Sequence, residues 1–140
     1  SKNMVKKNFT IDRSFWRRGG DRMGYGRTLL RNEQGSSCCL GHIASQCGVP
    51  WSDIMGIEYP KGLPSVHERY CSLLNRFVDP EILQMATYAL ADMAADVNDD
   101  KTMDDGTREA RLTAIFAAAG VTLTFHGEYL GGFLGVEGQL

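Results

Sequence analysis

Six arginines, Arg13, Arg17, Arg18, Arg22, Arg27 and Arg31, are interleaved with Phe15, Trp16 and Tyr25 and with the glycines at 19, 20, 24 and 26. Guanidinium groups form paired hydrogen bonds to phosphate or carboxylate, glycines let backbone N–H groups approach an anion, and aromatic faces stack on bases. Arg13, Trp16, Arg17, Arg18, Arg22, Tyr25 and Arg27 are therefore the candidate ligand-binding residues, suited to the phosphates of a nucleotide or nucleic acid or to an acidic protein surface. The spacing matches neither the phosphate loop that ends in Gly-Lys-Ser/Thr nor the dinucleotide fingerprint. A plainer reading competes with it, in which the arginines are solvated or pair with the chain's own acids.

Cys39 and His42 stand three residues apart, a spacing that brings both to one side of a helical turn and suits half of a metal site or a thiolate with its base. With an aspartate near position 99 they would make the catalytic set of a Cys/His-dependent hydrolase, an alternative that needs Cys39 to have a lowered pKa. No paired Cys-x2-Cys unit accompanies them, so no metal and no cofactor is expected, and Cys38, Cys39, Cys47 and Cys71 read more simply as small packed side chains. Asp96-Val-Asn98-Asp-Asp100 begins like a calcium loop. Its sixth position is Lys101 where glycine is needed and its twelfth is Thr107 where glutamate is needed, so calcium is not expected either.

Charge is divided unevenly along the 140 residues. Residues 1–31 hold nine Lys or Arg against Asp12 and Asp21, a local charge of +7; the remainder holds six basic against fifteen acidic residues, −9. At 43% apolar and 23% charged residues, with a net charge of −2, the chain is neither disorder-like nor globally basic. No run approaches the roughly 18 apolar residues of a spanning helix and residues 1–20 carry no apolar signal core, so a cytoplasmic protein with no membrane partner is expected.

The elements that must position these residues follow from periodicity. Asn8-Phe9-Thr10-Ile11 alternates as a strand, Arg17–Arg27 has the composition of an exposed loop, and residues 28–31 and 36–39 flank Asn32-Glu33-Gln34-Gly35 as a hairpin. Leu40, Ile43, Ala44 and Cys47 define a helix stopped at Gly48, and Trp51–Met55 reads as one turn capped at Ser52. A capping box at Ser65 and Glu68 opens a helix through Phe77; Asp79-Pro80 opens the longest one, through Val97. Thr107–Ala119 is a further helix, and Val121, Leu123 and Phe125 are the inward side of a closing strand. These elements predict a single α+β domain over residues 1–140, a small antiparallel sheet covered by three to four helices.

Asp12-Arg13-Ser14-Phe15-Trp16-Arg17-Arg18-Gly19, Thr28-Leu29-Leu30, Gly35 with Cys38-Cys39-Leu40-Gly41, Asn98-Asp99-Asp100 and Gly120-Val121-Thr122-Leu123-Thr124-Phe125 together form a pattern. That pattern resembles small proteins of unassigned activity encoded by tailed bacteriophages and prophages. It covers both ends of the chain, leaves residues 51–97 unmatched and transfers no functional residue. What the resemblance implies is a setting, the cytoplasm of an infected bacterium, where small accessory proteins bind and disable host components, defence machinery among them. Three expectations result: a non-enzymatic binder of a nucleotide signal, nucleic acid or acidic host surface, acting as a counter-defence inhibitor; the hydrolase of Cys39 and His42; and a homo-oligomer in which the +7 segment of one copy docks on the acidic 96–105 loop of another.

Overall fold

Phe9 and Ile11 alternate with polar neighbours, and the strand they predict, β1 (Asn8–Asp12), buries both of them. The Asp12 carboxylate ends it by accepting the Ser14 N–H and capping a 3-10 turn, Arg13–Phe15. Among the described residues five helices follow: α1 (Cys39–Gln46), α2 (Trp51–Ile54), α3 (Glu68–Leu74), α4 (Leu90–Asp99) and α5 (Asp105–Ala118), with β2 (Thr122–His126) after them. The computed structural model describes residues 8–20, 32, 35–56, 68–79, 81 and 89–134.

The class is mixed α and β as expected, but the sheet is parallel, not antiparallel. β1 and β2 form a two-stranded sheet with Phe9 beside Leu123 and Ile11 beside Phe125. Period-two alternation identifies a strand and its buried face without setting its direction. Direction is set here by the crossover, since α5 leads through Gly120, at φ 80°, straight into a strand running alongside β1. α1 packs against β1, α5 against β2, and α4 against both helices. Phe9, Ile11 and Leu123 are buried beneath them while Thr122 and Thr124 stay exposed, so one face of the sheet is covered and the other open.

Of the expected hairpin, the two ends of the turn are bonded, with the Gly35 N–H donating to Asn32 O (3.0 Å) at a φ of 83° and Asn32 N–H donating to Ser36 O (2.8 Å). Its second strand pairs elsewhere: Ser37 bridges Trp16 in parallel and Cys39 starts α1. Residues 28–31 and 33–34 lie outside the described residues, as do Ser65 of the capping box and Arg22, Tyr25 and Arg27.

α1 ends as predicted at Gly48, and α5 starts two residues earlier than predicted because Asp104 accepts the Thr107 N–H (2.7 Å) as its N-cap. α2 starts after Pro50 with no side-chain cap, so Ser52 does not serve. The longest expected helix, Asp79 through Val97, is helical from Leu90 and is interrupted at Ala89; its residues 80 and 82–88 lie outside the described residues. Asp79 does accept the Glu81 N–H (3.0 Å), yet Ala89 is extended and bridges Phe77, and the Leu90 N–H is taken by Arg76 O (3.1 Å), so α4 begins only at Leu90. Phe77, expected on a buried helix face, is 67% exposed. Buried side chains from both strands and from α1 to α5 form one apolar cluster.

Candidate functional site

β1 continues past its 3-10 turn as Trp16-Arg17-Arg18, and this short stretch is held from both sides. On one side Arg17 N–H donates to Ser37 O and Ser37 N–H to Phe15 O (both 2.8 Å); on the other Arg18 N–H donates to Gly132 O (2.9 Å) and Leu134 N–H to Arg18 O (2.8 Å). Backbone pairing on two sides fixes alternate side chains in opposite directions. It sends Trp16 and Arg18 inward and leaves Arg17 half-buried.

Trp16 does not offer a stacking face to a ligand. It is 1% exposed, its Nε1–H donates to Asn98 Oδ1 (2.8 Å), and its ring lies 5.2 Å from that of Phe125. Arg18 is equally internal. Nε and Nη2 donate to the two Asp105 carboxylate oxygens (2.5 and 2.8 Å), Nη1 donates to Gly131 O and Trp16 O (2.8 and 3.1 Å), and the guanidinium sits 4.4 Å from the centroid of the Tyr129 ring. Arg13 makes the same kind of fork with Glu109 (both bonds 2.8 Å), which raises its pKa, and donates to Gly127 O (3.1 Å). Glu109 also accepts the Tyr129 hydroxyl. Asp105 and Glu109 are one helical turn apart on α5, so Arg13 and Arg18 fasten that helix and the 127–134 tail to the extension of β1. For Trp16, Arg13 and Arg18 the expected ligand role gives way to a structural one.

Arg17 differs from both. Among the described residues no carboxylate pairs with it, and its Nε is buried without a hydrogen-bond partner. Before residues 21–31 the Gly19 N–H donates to Asn98 O (2.7 Å), and after them Asn32 is bonded to Ser36.

The Cys39–His42 pair fails as a nucleophile and base. Cys39 is completely buried with its Sγ directed at Ala94 O (3.9 Å) on α4, and burial pushes the thiol well above its ordinary pKa; burial likewise pushes Cys38 up to about 12. Reactive thiolates need the opposite environment. His42 is engaged with Ser37 and Cys38. Its Nδ1 lies 2.8 Å from Ser37 Oγ and 3.1 Å from Cys38 O, and since a carbonyl only accepts, this geometry suits a protonated Nδ1 shared between the two. His42 lines an open hollow of about 280 Å³ with Asp12, Phe15, Ser37, Ser45 and Gln46. Asp12 is held below the ordinary carboxylate pKa by the Ser14 hydroxyl and amide, with His126 and His42 adding to the effect.

Two residues that organise this region were not among the candidate site residues read from sequence. Asn98 is buried at the end of α4, where Oδ1 accepts from Trp16 Nε1 and Cys39 N and Nδ2 donates to Arg17 O and Asp99 Oδ1. Arg108, 0% exposed, donates to Val97 O, Asn98 O and Met103 O (2.7, 3.0 and 2.6 Å), placing a cation on the carbonyl end of α4. Burial lowers its pKa, with Asp105 opposing. Arg108 falls on the apolar stripe of α5 with Leu112 and Ile115, a long cation at a core position, and that was the available signal.

Among the described residues no cluster of three or more His, Cys, Asp or Glu could hold a metal ion, and no helix is long and apolar enough to cross a membrane. No protein-family model, curated protein or solved structure matches the chain.

Proposed function

We propose that the protein is a non-enzymatic binding protein that grips a phosphate-bearing ligand, a nucleotide signal or nucleic acid, with Arg17, Arg22 and Arg27, and with Tyr25 as the stacking surface. The observation that carries this reading is the contrast at Arg17. Arg13 and Arg18 have their forks filled by internal carboxylates, whereas Arg17 has no such partner among the described residues and keeps an unbonded Nε. Residues 21–31 continue from it with Arg22, Arg27 and Arg31 against Asp21, and both flanks of that segment are tied to the scaffold. Variable recognition segments on a fixed base are a common way to build a binding site. The resemblance to phage-encoded proteins suits this reading: a sponge for a nucleotide signal would act as a counter-defence inhibitor in the cytoplasm of the infected host.

The test is fluorescence anisotropy with a fluorescein-labelled single-stranded 12-mer, competed with ATP. The expected result is binding that weakens steeply as NaCl is raised, since phosphate contacts release counterions, and that is lost in an Arg17→Ala, Arg22→Ala, Arg27→Ala variant. Absence of binding at low salt, or full affinity in the triple variant, overturns the reading and leaves an acidic protein surface as the partner to seek.

A further inference from the structure

The hollow beside His42 has walls that the fold already fixes. Gln46 on α1 is pinned through its side-chain amide, Oε1 accepting the Thr10 N–H (2.9 Å) and Nε2 donating to Thr10 O (2.7 Å) and His42 O (3.1 Å). His42 Nδ1 is held by Ser37 Oγ and Cys38 O. Gly41, one turn before Ser45 on α1, brings no side chain to this lining and so keeps the space open. At about 280 Å³ the hollow lies at the small end of ligand clefts, with room for a single ring system.

Two groups that line it are not used up by the fold. Phe15 is 50% exposed and its ring meets no other ring or cation among the described residues, whereas Trp16 packs on Phe125 and Tyr129. Asp12 places both Ser14 bonds, from the N–H (3.0 Å) and the hydroxyl (2.6 Å), on Oδ1, and Oδ2 accepts none among the described residues. An aromatic face beside an open carboxylate oxygen suits a flat ring that carries an N–H donor. A cation would also suit that pair, but Arg13 follows Asp12 and Arg17 stands two residues beyond Phe15, so a positive occupant would approach against those charges. A neutral ring attached to an anionic tail meets no such opposition. The hollow also borders Arg17: Ser37, in its lining, accepts the Arg17 N–H and donates to Phe15 O (both 2.8 Å). Trp16 between them is extended, with φ −94° and ψ 120°. The Cα atoms of Phe15 and Arg17 are therefore roughly 7 Å apart, a separation that the sugar of a nucleotide bridges.

We propose that this hollow takes the base of a mononucleotide, an amino-bearing purine, with Phe15 stacked on the ring and Asp12 Oδ2 accepting the exocyclic amino group. The inference rests on the phosphate-binding reading above and narrows it, since a hollow of this size admits one base and Arg17 stands ready for the phosphates attached to it. Phe15 then joins Tyr25 as a stacking surface.

Isothermal titration calorimetry on the full chain tests it with ligands that share a triphosphate. ATP and purine riboside triphosphate differ only by the 6-amino group, GTP and ITP only by the 2-amino group, and tripolyphosphate has no base. In at least one of the two pairs the amino-bearing nucleotide binds at least roughly fivefold more tightly than its counterpart, and the counterpart at least roughly fivefold more tightly than tripolyphosphate. Asp12→Asn keeps an oxygen for Ser14 but sets an amide NH₂ where the open acceptor was, and it erases the first difference. Phe15→Ala erases the second. Tripolyphosphate binds both variants as it binds the wild type, which also shows that they are folded. Equal affinity for all five ligands, or a preference for the base that survives both substitutions, overturns the proposal while the phosphate-binding reading stands. Failure of tripolyphosphate, the nucleotides and the labelled 12-mer alike overturns both. Spermidine that binds the wild type and is lost in Asp12→Asn would assign the hollow to a cation and overturn the proposal too.

Discussion

Arg18 holds both oxygens of Asp105 and two backbone carbonyls, while Arg17 beside it has an Nε with no partner, and substitutions should separate the two residues by what they damage. Arg18→Met leaves a half-buried Asp105 without its fork and releases the tail; it is expected to destabilise the fold by about 3 kcal/mol in urea denaturation. Arg17→Ala should change stability by less than about 1 kcal/mol and act on binding. Equal losses in the two variants would mean that Arg17 is also structural. Asp12 gives a second residue-scale prediction. Its carboxylate is held below its ordinary value of 3.8 by the Ser14 hydroxyl and amide, with help from His126 and His42. A depressed folded pKa contributes stability that is complete above about pH 5 and is lost as pH falls through the folded value. The unfolding midpoint of Asp12→Asn should therefore lie below that of the wild type at pH 7 and converge with it toward pH 2. A constant gap across that range contradicts the assignment.

The elements legible in sequence were those whose signals are local. Phe9 and Ile11, Leu123 and Phe125 and the Gly48 stop all produced what their spacing predicts. What failed depended on distant partners. The start of α4 is set by Arg76 O capturing the Leu90 amide and by Phe77 bridging Ala89, neither of which leaves a periodic trace. The parallel direction of the sheet comes from the crossover, and the roles of Trp16 and Arg18 come from Asn98 and Asp105, more than 80 residues away. The tail offers the element-scale prediction. Gly132 has a φ of 82°, and a Cβ there would collide with Trp16 O. Gly132→Ala is expected to cost about 2–3 kcal/mol and to accelerate hydrogen exchange at the Arg18 and Leu134 amides, which pair along that segment, while α5 keeps its protection. Unchanged exchange at Arg18 would show that the tail is not what pins it.

At the scale of the whole molecule the charge asymmetry is partly answered within one chain. Arg13 meets Glu109 and Arg18 meets Asp105, while Asp104 caps α5 and Asp100 accepts the Thr102 amide and hydroxyl. Several cations and acids that sequence offered to partners therefore hold the fold together, and the proposed binding charge shrinks to Arg17 and the segment after it. The most direct measurement of that claim is the slope of log affinity against log NaCl concentration for the labelled 12-mer, compared between Arg17→Ala and Arg13→Ala. Each phosphate contact removed from a single strand lowers the slope by about 0.7. The account predicts that loss in Arg17→Ala and an unchanged slope in Arg13→Ala, whose charge Glu109 already neutralises. An unchanged slope in Arg17→Ala, or an equal loss in both variants, would contradict it.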